Sequence, residues 1–230
     1  MYDLLIYKPI FNALVAIYNT IAFQDFGLAV IIITLLIRII LFPLTLKSSK
    51  ANLKLQALQP KIKELQAKHA DDKTALAAAT MAIYTENKIN PLSGCLPILI
   101  QLPFLIALYS AFSSAFQPDA LNHLYSFVHN PGSINQISLG FIDLTKSSIP
   151  LAVVAGILQF VQVKLSMNKK SGQDKDDPAA AMSQQMLYIF PILLVIIAYK
   201  LPIGLVIYFI ASSVFATIEQ WYIRRKYTNI

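Results

Sequence analysis

The sequence predicts an all-α integral membrane protein: five transmembrane helices around a hydrophilic groove, an amino-terminal interfacial helix and a cytoplasmic helical hairpin. Three observations predict it. The 230 residues are 56% hydrophobic and only 13% charged, too apolar for a soluble domain of that size. Long stretches almost free of charge alternate with lysine-rich segments. Neutral polar residues recur at helical spacing inside the apolar stretches, with one arginine among them.

Residues 1–26 are read as an external amphipathic helix lying in the membrane interface. Lys8 and Pro9 interrupt its apolar character, while Leu4, Phe11, Leu14, Val15 and Tyr18 recur at helical spacing. It has neither a basic start followed by an unbroken apolar run nor an A-x-A-like site, so no cleaved signal peptide is expected. The competing reading is a sixth, irregular span.

Residues 27–46 form the first span. Its one ionisable side chain is Arg38, and an arginine near a helix centre costs roughly 2.5–3.5 kcal/mol on insertion scales. The surrounding Leu, Ile, Val and Phe outweigh that cost. Stability therefore gives no reason to keep the arginine, and Arg38→Ala is expected to be at least as stable as the parent.

Residues 47–93 are read as the cytoplasmic hairpin. Leu55, Leu58, Ile62 and Leu65 step by 3, 4 and 3 along one helical face. Pro60 should kink or restart that helix. HADD (His69 to Asp72) supplies a turn with Asp71 or Asp72 as cap, and Leu76, Ala79 and Ile83 share a face of a second helix. Connections between helices usually take 2–8 residues. A segment this long reads as a docking element, with Lys54, Lys61, Lys63 and Lys68 as the docking side chains, rather than as a connector.

Residues 94–230 carry four further spans, at about 96–116, 149–167, 186–199 and 203–223, and a short basic tail. The span at 186–199 covers only about 21 Å. It either borrows Ala179–Ser183 or sits in locally thinned bilayer. Cys95, a single thiol, is read as a packing residue.

Charge placement fixes the orientation. Lys47, Lys50, Lys54, Lys61, Lys63, Lys68, Lys73 and Lys88 lie between spans one and two, Lys164, Lys169, Lys170 and Lys175 around the loop between spans three and four, and Arg224, Arg225 and Lys226 in the tail. Five spans put all of these on one side and Lys8, Lys146 and Lys200 on the other. By the positive-inside rule the amino terminus is outside and the carboxy terminus cytoplasmic. The net charge of +7 is thus first a topology signal, with anionic lipid or ribosomal RNA as secondary partners and no DNA binding expected.

Chemistry is nearly absent. There is no phosphate-binding loop, no H-E-x-x-H, no G-x-S-x-G and no cysteine pair, and no Asp, Glu or His lies in the interior of any expected span. Glu219 is placed near the cytoplasmic end of the last one. No enzyme, cofactor or metal is expected. What the spans carry is polar stripes: Thr34, Arg38 and Thr45 in the first, Gln159, Gln162 and Ser166 in the third, Ser213, Thr217 and Gln220 in the last, with Gln101 alone in the second. Each stripe alone reads equally well as interhelical hydrogen-bonding glue. Together with a lone cation they favour a shared polar cavity, and Arg38 then faces water inside the bundle.

PLSGCLPILIQLPFLIALYSAF (Pro91–Phe112), RIILFPLTLKSSKA (Arg38–Ala51), LQPKIKELQAKHADDK (Leu58–Lys73) and KLPIGLVIYF (Lys200–Phe209), with LGFIDLT (Leu139–Thr145) between, resemble the ordered motifs of the YidC membrane protein insertase family, which includes mitochondrial oxidase-assembly and chloroplast Albino3 relatives. The resemblance implies a five-helix core whose groove is open to cytoplasm and lipid and closed outside, with Arg38 as the signature cation and Gln101 on the glutamine of the second-span motif. Taken with the polar stripes, it gives an expected groove lined by Arg38, Thr34, Thr45, Gln101, Gln159, Gln162, Tyr208, Ser213 and Thr217. It implies an insertase and chaperone of a bacterial plasma membrane, working without nucleotide. Its partners would be nascent membrane proteins, a ribosome and targeting receptor, membrane lipids and, as a candidate, the Sec translocon. Phe209 replaces the tryptophan or tyrosine of many relatives. Neither the large external domain of Gram-negative relatives nor a lipoprotein signal is expected, and the basic tail is reduced to about eight residues. The alternative from another class is a small polytopic transporter or channel, which solute-dependent flux in liposomes would distinguish.

Overall fold

A computed structural model describes residues 3–69, 72–88, 90, 96–117, 119–167 and 178–227. Cys95, Asp71, Lys169, Lys170 and Lys175 lie outside the described residues. A π-helical turn, Asp3–Tyr7, leads into α1, Lys8–Thr20. Pro9 suits the first turn of α1 because its missing N–H would be unsatisfied there anyway. Phe11, Leu14, Val15 and Tyr18 are buried, whereas Leu4 is exposed. The apolar face expected against lipid is packed on protein instead, on α2 (Phe26–Lys68) and α4 (Leu96–Ala115). Asn12 is the buried polar exception on that face. Its Nδ2 donates to the carbonyls of Lys8 and His123, and its Oδ1 accepts from Tyr125 N at 2.6 Å, so it pins α1 to the segment after α4.

Asp25 caps α2 by accepting from Leu28 N at 2.9 Å. The helix then runs 43 residues, roughly 65 Å at 1.5 Å per residue and about twice the ~30 Å hydrocarbon core. This corrects two expectations. There is no break between residues 46 and 47, and the helix does not restart at Pro60, which like Pro43 lies inside it. Each proline removes a single intrahelical bond, and the surrounding Leu, Lys, Gln and Ala are strong helix formers. Tethers to the bundle also hold the extension in place. Gln56 Nε2 donates to Ser166 O at 3.0 Å, Ser49 Oγ bonds Gln220 at 3.4 Å, and Lys50 Nζ lies 3.9 Å from the Tyr227 ring centroid.

The hairpin is therefore the far half of α2 turned back by α3 (Lys73–Glu86). Asp72 caps α3, accepting from Thr74 N and Ala75 N. Leu58 and Ile62 pack with Leu55, Ile83 and Tyr84 between the two helices.

After α4, a 3-10 turn (Ala120–His123) and a two-stranded antiparallel ribbon, β1 (Ile137–Ser138) with β2 (Ile142–Asp143), lead to α5 (Ile149–Ser166), α6 (Pro178–Ala198) and α7 (Ile203–Tyr227). α6 begins before residue 186 and so takes in Ala179–Ser183. Helices α2, α5 and α7 are long and apolar enough to cross a membrane, and α4 and α6 add the shorter apolar stretches Gln101–Ala115 and Leu187–Ala198. Packing runs α6, α5, α7, α2, with α4 and α1 beside α2.

At one end, Asp25 accepts from Ser138 Oγ and Leu139 N, both at 2.6 Å, while Ile203 N and Gly204 N donate to the carbonyls of Lys146 and Leu144. The opposite end gathers Ser49, Gln56, Ser166 and Gln220. Helices α2, α5 and α7 thus run the same way. Between α5 and α6 the approach is close: a Cβ on Gly156 would collide with the side chain of Val195.

Candidate functional site

Helices α2, α4 and α7 enclose a groove of about 540 Å3, counting its open mouth. α2 contributes a polar strip, Thr34, Arg38, Thr45 and Ser48, with Ile37, Leu41 and Leu44 beside it. Gln101 and Phe104 of α4 and Tyr208 of α7 face it. The strip spans about 21 Å of helix. Leu36, Ile39 and Ile40, on the outer side of α2, are exposed.

Beyond Thr34, toward Asp25, aromatic packing closes the groove. Tyr18, Phe26, Phe112 and Phe116 interlock with ring centroids 5.2–6.1 Å apart, mostly edge-on, the geometry that ring quadrupoles favour. Gly204 makes room for this cluster, since a Cβ there would strike the Phe112 ring. Toward the other end the lining stays polar through Thr45 and Ser48.

Arg38 is half-buried, and Nη2 donates to Ser212 Oγ at 2.6 Å. Nη1 donates to Glu219 Oε2 at 3.4 Å, an ion pair whose glutamate is 8% exposed. Arg38 Nε is buried with no hydrogen-bond partner among the described residues, and the buried Tyr208 Oη lies close to the Ser212 hydroxyl without a well-formed hydrogen bond.

The lone cation expected from the sequence therefore has a counterion, Glu219, held through one long contact. The sequence reading misses Ser212 and places Glu219 near the end of the last span but not against Arg38, although a signal exists: Tyr208, Ser212 and Glu219 step by 4 and 7, a stripe as regular as the neighbouring one through Ser213, Thr217 and Gln220. The expectation that Arg38→Ala costs no stability also changes, because removing one member of a buried pair leaves the other uncompensated.

Thr34, Arg38, Thr45, Gln101 and Tyr208 are brought together around the groove, but Gln159, Gln162, Ser213 and Thr217 do not line it. Ser213 Oγ donates to Gln159 Oε1 at 3.1 Å, joining α7 to α5, and Thr217 Oγ1 donates to Ser213 O. The Gln162 carbonyl accepts from Ser166 Oγ within α5. The reason is angular. One residue turns an α-helix by about 100°, so Ser212 faces Arg38 and Ser213 faces α5. On the hairpin, Lys54, Lys61 and Lys68 are exposed and Lys63 is half-buried.

Residues 16–229 match the family model described as 60Kd inner membrane protein. A membrane protein insertase YidC of Fusobacterium nucleatum is 37% identical over 202 residues, covering 88% of this chain and 87% of that protein. One of Francisella philomiragia is 32% identical over 203 residues, and there the match covers 88% of this chain but only 33% of the relative. Among solved structures, an active YidC insertase with its first transmembrane domain resolved superposes with a TM-score of 0.62 at 24% identity, covering 96% of this chain and 46% of that one.

Proposed function

The chain belongs to the YidC family of membrane protein insertases, and from that premise we propose that the Arg38 groove is where the polar segment of a nascent membrane protein leaves the cytoplasm. The observation that supports this most is the one-ended shape of the groove: polar side chains from three helices meet below an aromatic closure. The aromatic end, with Asp25 and the β1–β2 ribbon, faces outward, and the end holding Ser48, Gln56 and Arg224 faces the cytoplasm.

The physical logic is one of shortened distance. A hydrated strip about 21 Å long spares a polar tail much of its path through hydrocarbon. Arg38 attracts acidic residues of the tail in a low-dielectric setting where one charge counts for more than in bulk water. Tyr208 Oη and Arg38 Nε offer two further donors to a carboxylate or carbonyl. The apolar segment that follows partitions into lipid beside Leu36, Ile39 and Ile40. Hydrophobic transfer drives the step, and an inside-negative potential adds roughly 2.3 kcal/mol per 100 mV for each negative charge moved fully outward. No nucleotide is consumed. The exposed hairpin lysines suit a ribosome, targeting receptor or emerging chain, with the Sec translocon and anionic lipid as further neighbours.

The test is an insertion assay in liposomes with two clients, one with an acidic tail and one with a short uncharged tail. Arg38→Ala should lower acidic-tail insertion at least about tenfold and the uncharged tail much less, with Arg38→Lys between, since a cation survives without the guanidinium fork. Thermal unfolding measured alongside separates lost function from lost fold. Equal insertion of both clients by a folded Arg38→Ala protein would contradict the groove mechanism.

A further inference from the structure

Arg38 is held by two unequal contacts. The bond to Ser212 is short, at 2.6 Å, but the link to Glu219 is a single contact at 3.4 Å, well beyond the 2.7–2.9 Å typical of a good charge-assisted bond and not the bidentate fork that arginine and carboxylate favour. Beside this loose pair, Arg38 Nε is a buried donor without an acceptor among the described residues, and the buried Tyr208 Oη lies close to the Ser212 hydroxyl without a well-formed hydrogen bond. The site thus contains one weakly engaged acceptor, one unfilled guanidinium donor and a loosely held hydroxyl beside it, an arrangement suited to a second carboxylate that would engage the guanidinium better than the resident one does.

We infer that Glu219 is a resident counterion that sets client selectivity: it occupies Arg38 while the groove is empty and yields it to an acidic residue of the client. This rests on the groove reading above and adds to it a residue that opposes binding. With Glu219 in place, a client must displace a carboxylate before gaining Arg38, so a weakly acidic or neutral tail wins little. Once displaced, Glu219 stays on the part of α7 that leads into its basic last turn, Arg224, Arg225 and Lys226, whose positive charge lowers the cost of a carboxylate without a direct partner. Ser212 keeps Arg38 oriented through the exchange, since its bond does not depend on the carboxylate.

Glu219→Gln keeps the shape of the side chain and removes its charge. In the same two-client assay, this variant should raise the ratio of acidic-tail to uncharged-tail insertion at least about fivefold, the low end of the usual coupling between two sites. Introduced into the Arg38→Ala background, it should leave that ratio unchanged, because Glu219 acts only through Arg38. In that background it should also restore thermal stability, by relieving a buried unpaired carboxylate. Glu219→Asp, one methylene shorter, should shift the ratio less than Glu219→Gln does.

A ratio that stays constant or falls in Glu219→Gln, while Arg38→Ala still suppresses acidic-tail insertion, overturns the counterion role and leaves the groove reading intact. A ratio unaffected by either substitution overturns both. A rise of equal size in the Arg38→Ala background would show that Glu219 acts on clients directly, and would overturn the displacement.

Discussion

At the scale of single residues, stability and function separate most cleanly at Tyr208. Its hydroxyl is buried with no well-formed hydrogen bond among the described residues, only the Ser212 hydroxyl close by, and such a group costs free energy that a ring without it does not. Tyr208→Phe should therefore be as stable as the parent or up to about 1 kcal/mol more stable, yet insert acidic-tail clients more slowly. Unfolding and insertion measured on the same preparation check both halves.

Asp25 is the opposite case, a residue whose work is holding the outer end together. Burial alone would raise its carboxyl, but bonds from Leu139 N, Ser138 Oγ and Leu28 N outweigh that and hold it below the usual 3.8. A carboxyl depressed in the folded state contributes stability that is complete above its unfolded value and lost as pH falls through the folded one. The unfolding midpoint should accordingly be insensitive to Asp25 from neutral pH down to about 4. Below that it should fall, and Asp25→Asn should flatten the fall while keeping an N-cap. A parent and variant with parallel acid profiles would show that the Asp25 bonds contribute no net stability.

At the scale of elements, α2 was the least legible in the sequence. Its first half announced itself by hydropathy and its second by a 3-4-3 leucine pattern, and the change of composition at Lys47 looked like a boundary. A helix does not register composition, only backbone bonds and propensity, and both continue through Lys47. The turn at Asp72 was readable because a cap is a local chemical event within a few residues. The partner of Arg38 was not, because 181 residues separate it from Glu219 and two stripes one residue apart on α7 look alike until the rotation of the helix is known.

The hairpin invites a deletion, whose bounds the structure sets. Cutting from Leu53 would remove Gln56 and its bond to Ser166. Replacing 58–84 with a short flexible linker keeps that tether and removes the Leu58, Ile62 and Ile83 contact with the exposed Lys61 and Lys68. The bundle should then retain its thermal stability while co-translational insertion falls several-fold. Normal insertion rates would make the hairpin a connector.

At the scale of the whole molecule, the groove sits at the crossing of three helices that packing, rather than any motif, brings together. α2 supplies the charge and α7 the counterion and the tyrosine, and α4 closes the side with Gln101 and Phe104. The end of the bundle toward Asp25 is apolar and interlocked, and the end toward Ser48 is polar. That asymmetry is what an insertase working from one face requires, and it argues against a continuous pore, which would need a polar lining through the Phe26, Phe112 and Phe116 cluster. The α5–α7 stripe through Gln159 and Ser213 serves cohesion instead, a use that neutral polar pairs commonly have inside a membrane.

The most direct measurement of the central claim is site-specific photocrosslinking from this chain to stalled nascent membrane proteins. A photoreactive residue at Thr34, Thr45 or Gln101 should crosslink the polar tail of the client, and one at the exposed Ile40 should crosslink the apolar segment that follows. Probes at Val153 and Ile197, exposed on α5 and α6 away from the groove, should capture lipid and little client. Strong client crosslinks at Val153 or Ile197 with none at Thr34, Thr45 and Gln101 would place the insertion path elsewhere on the bundle and contradict the account.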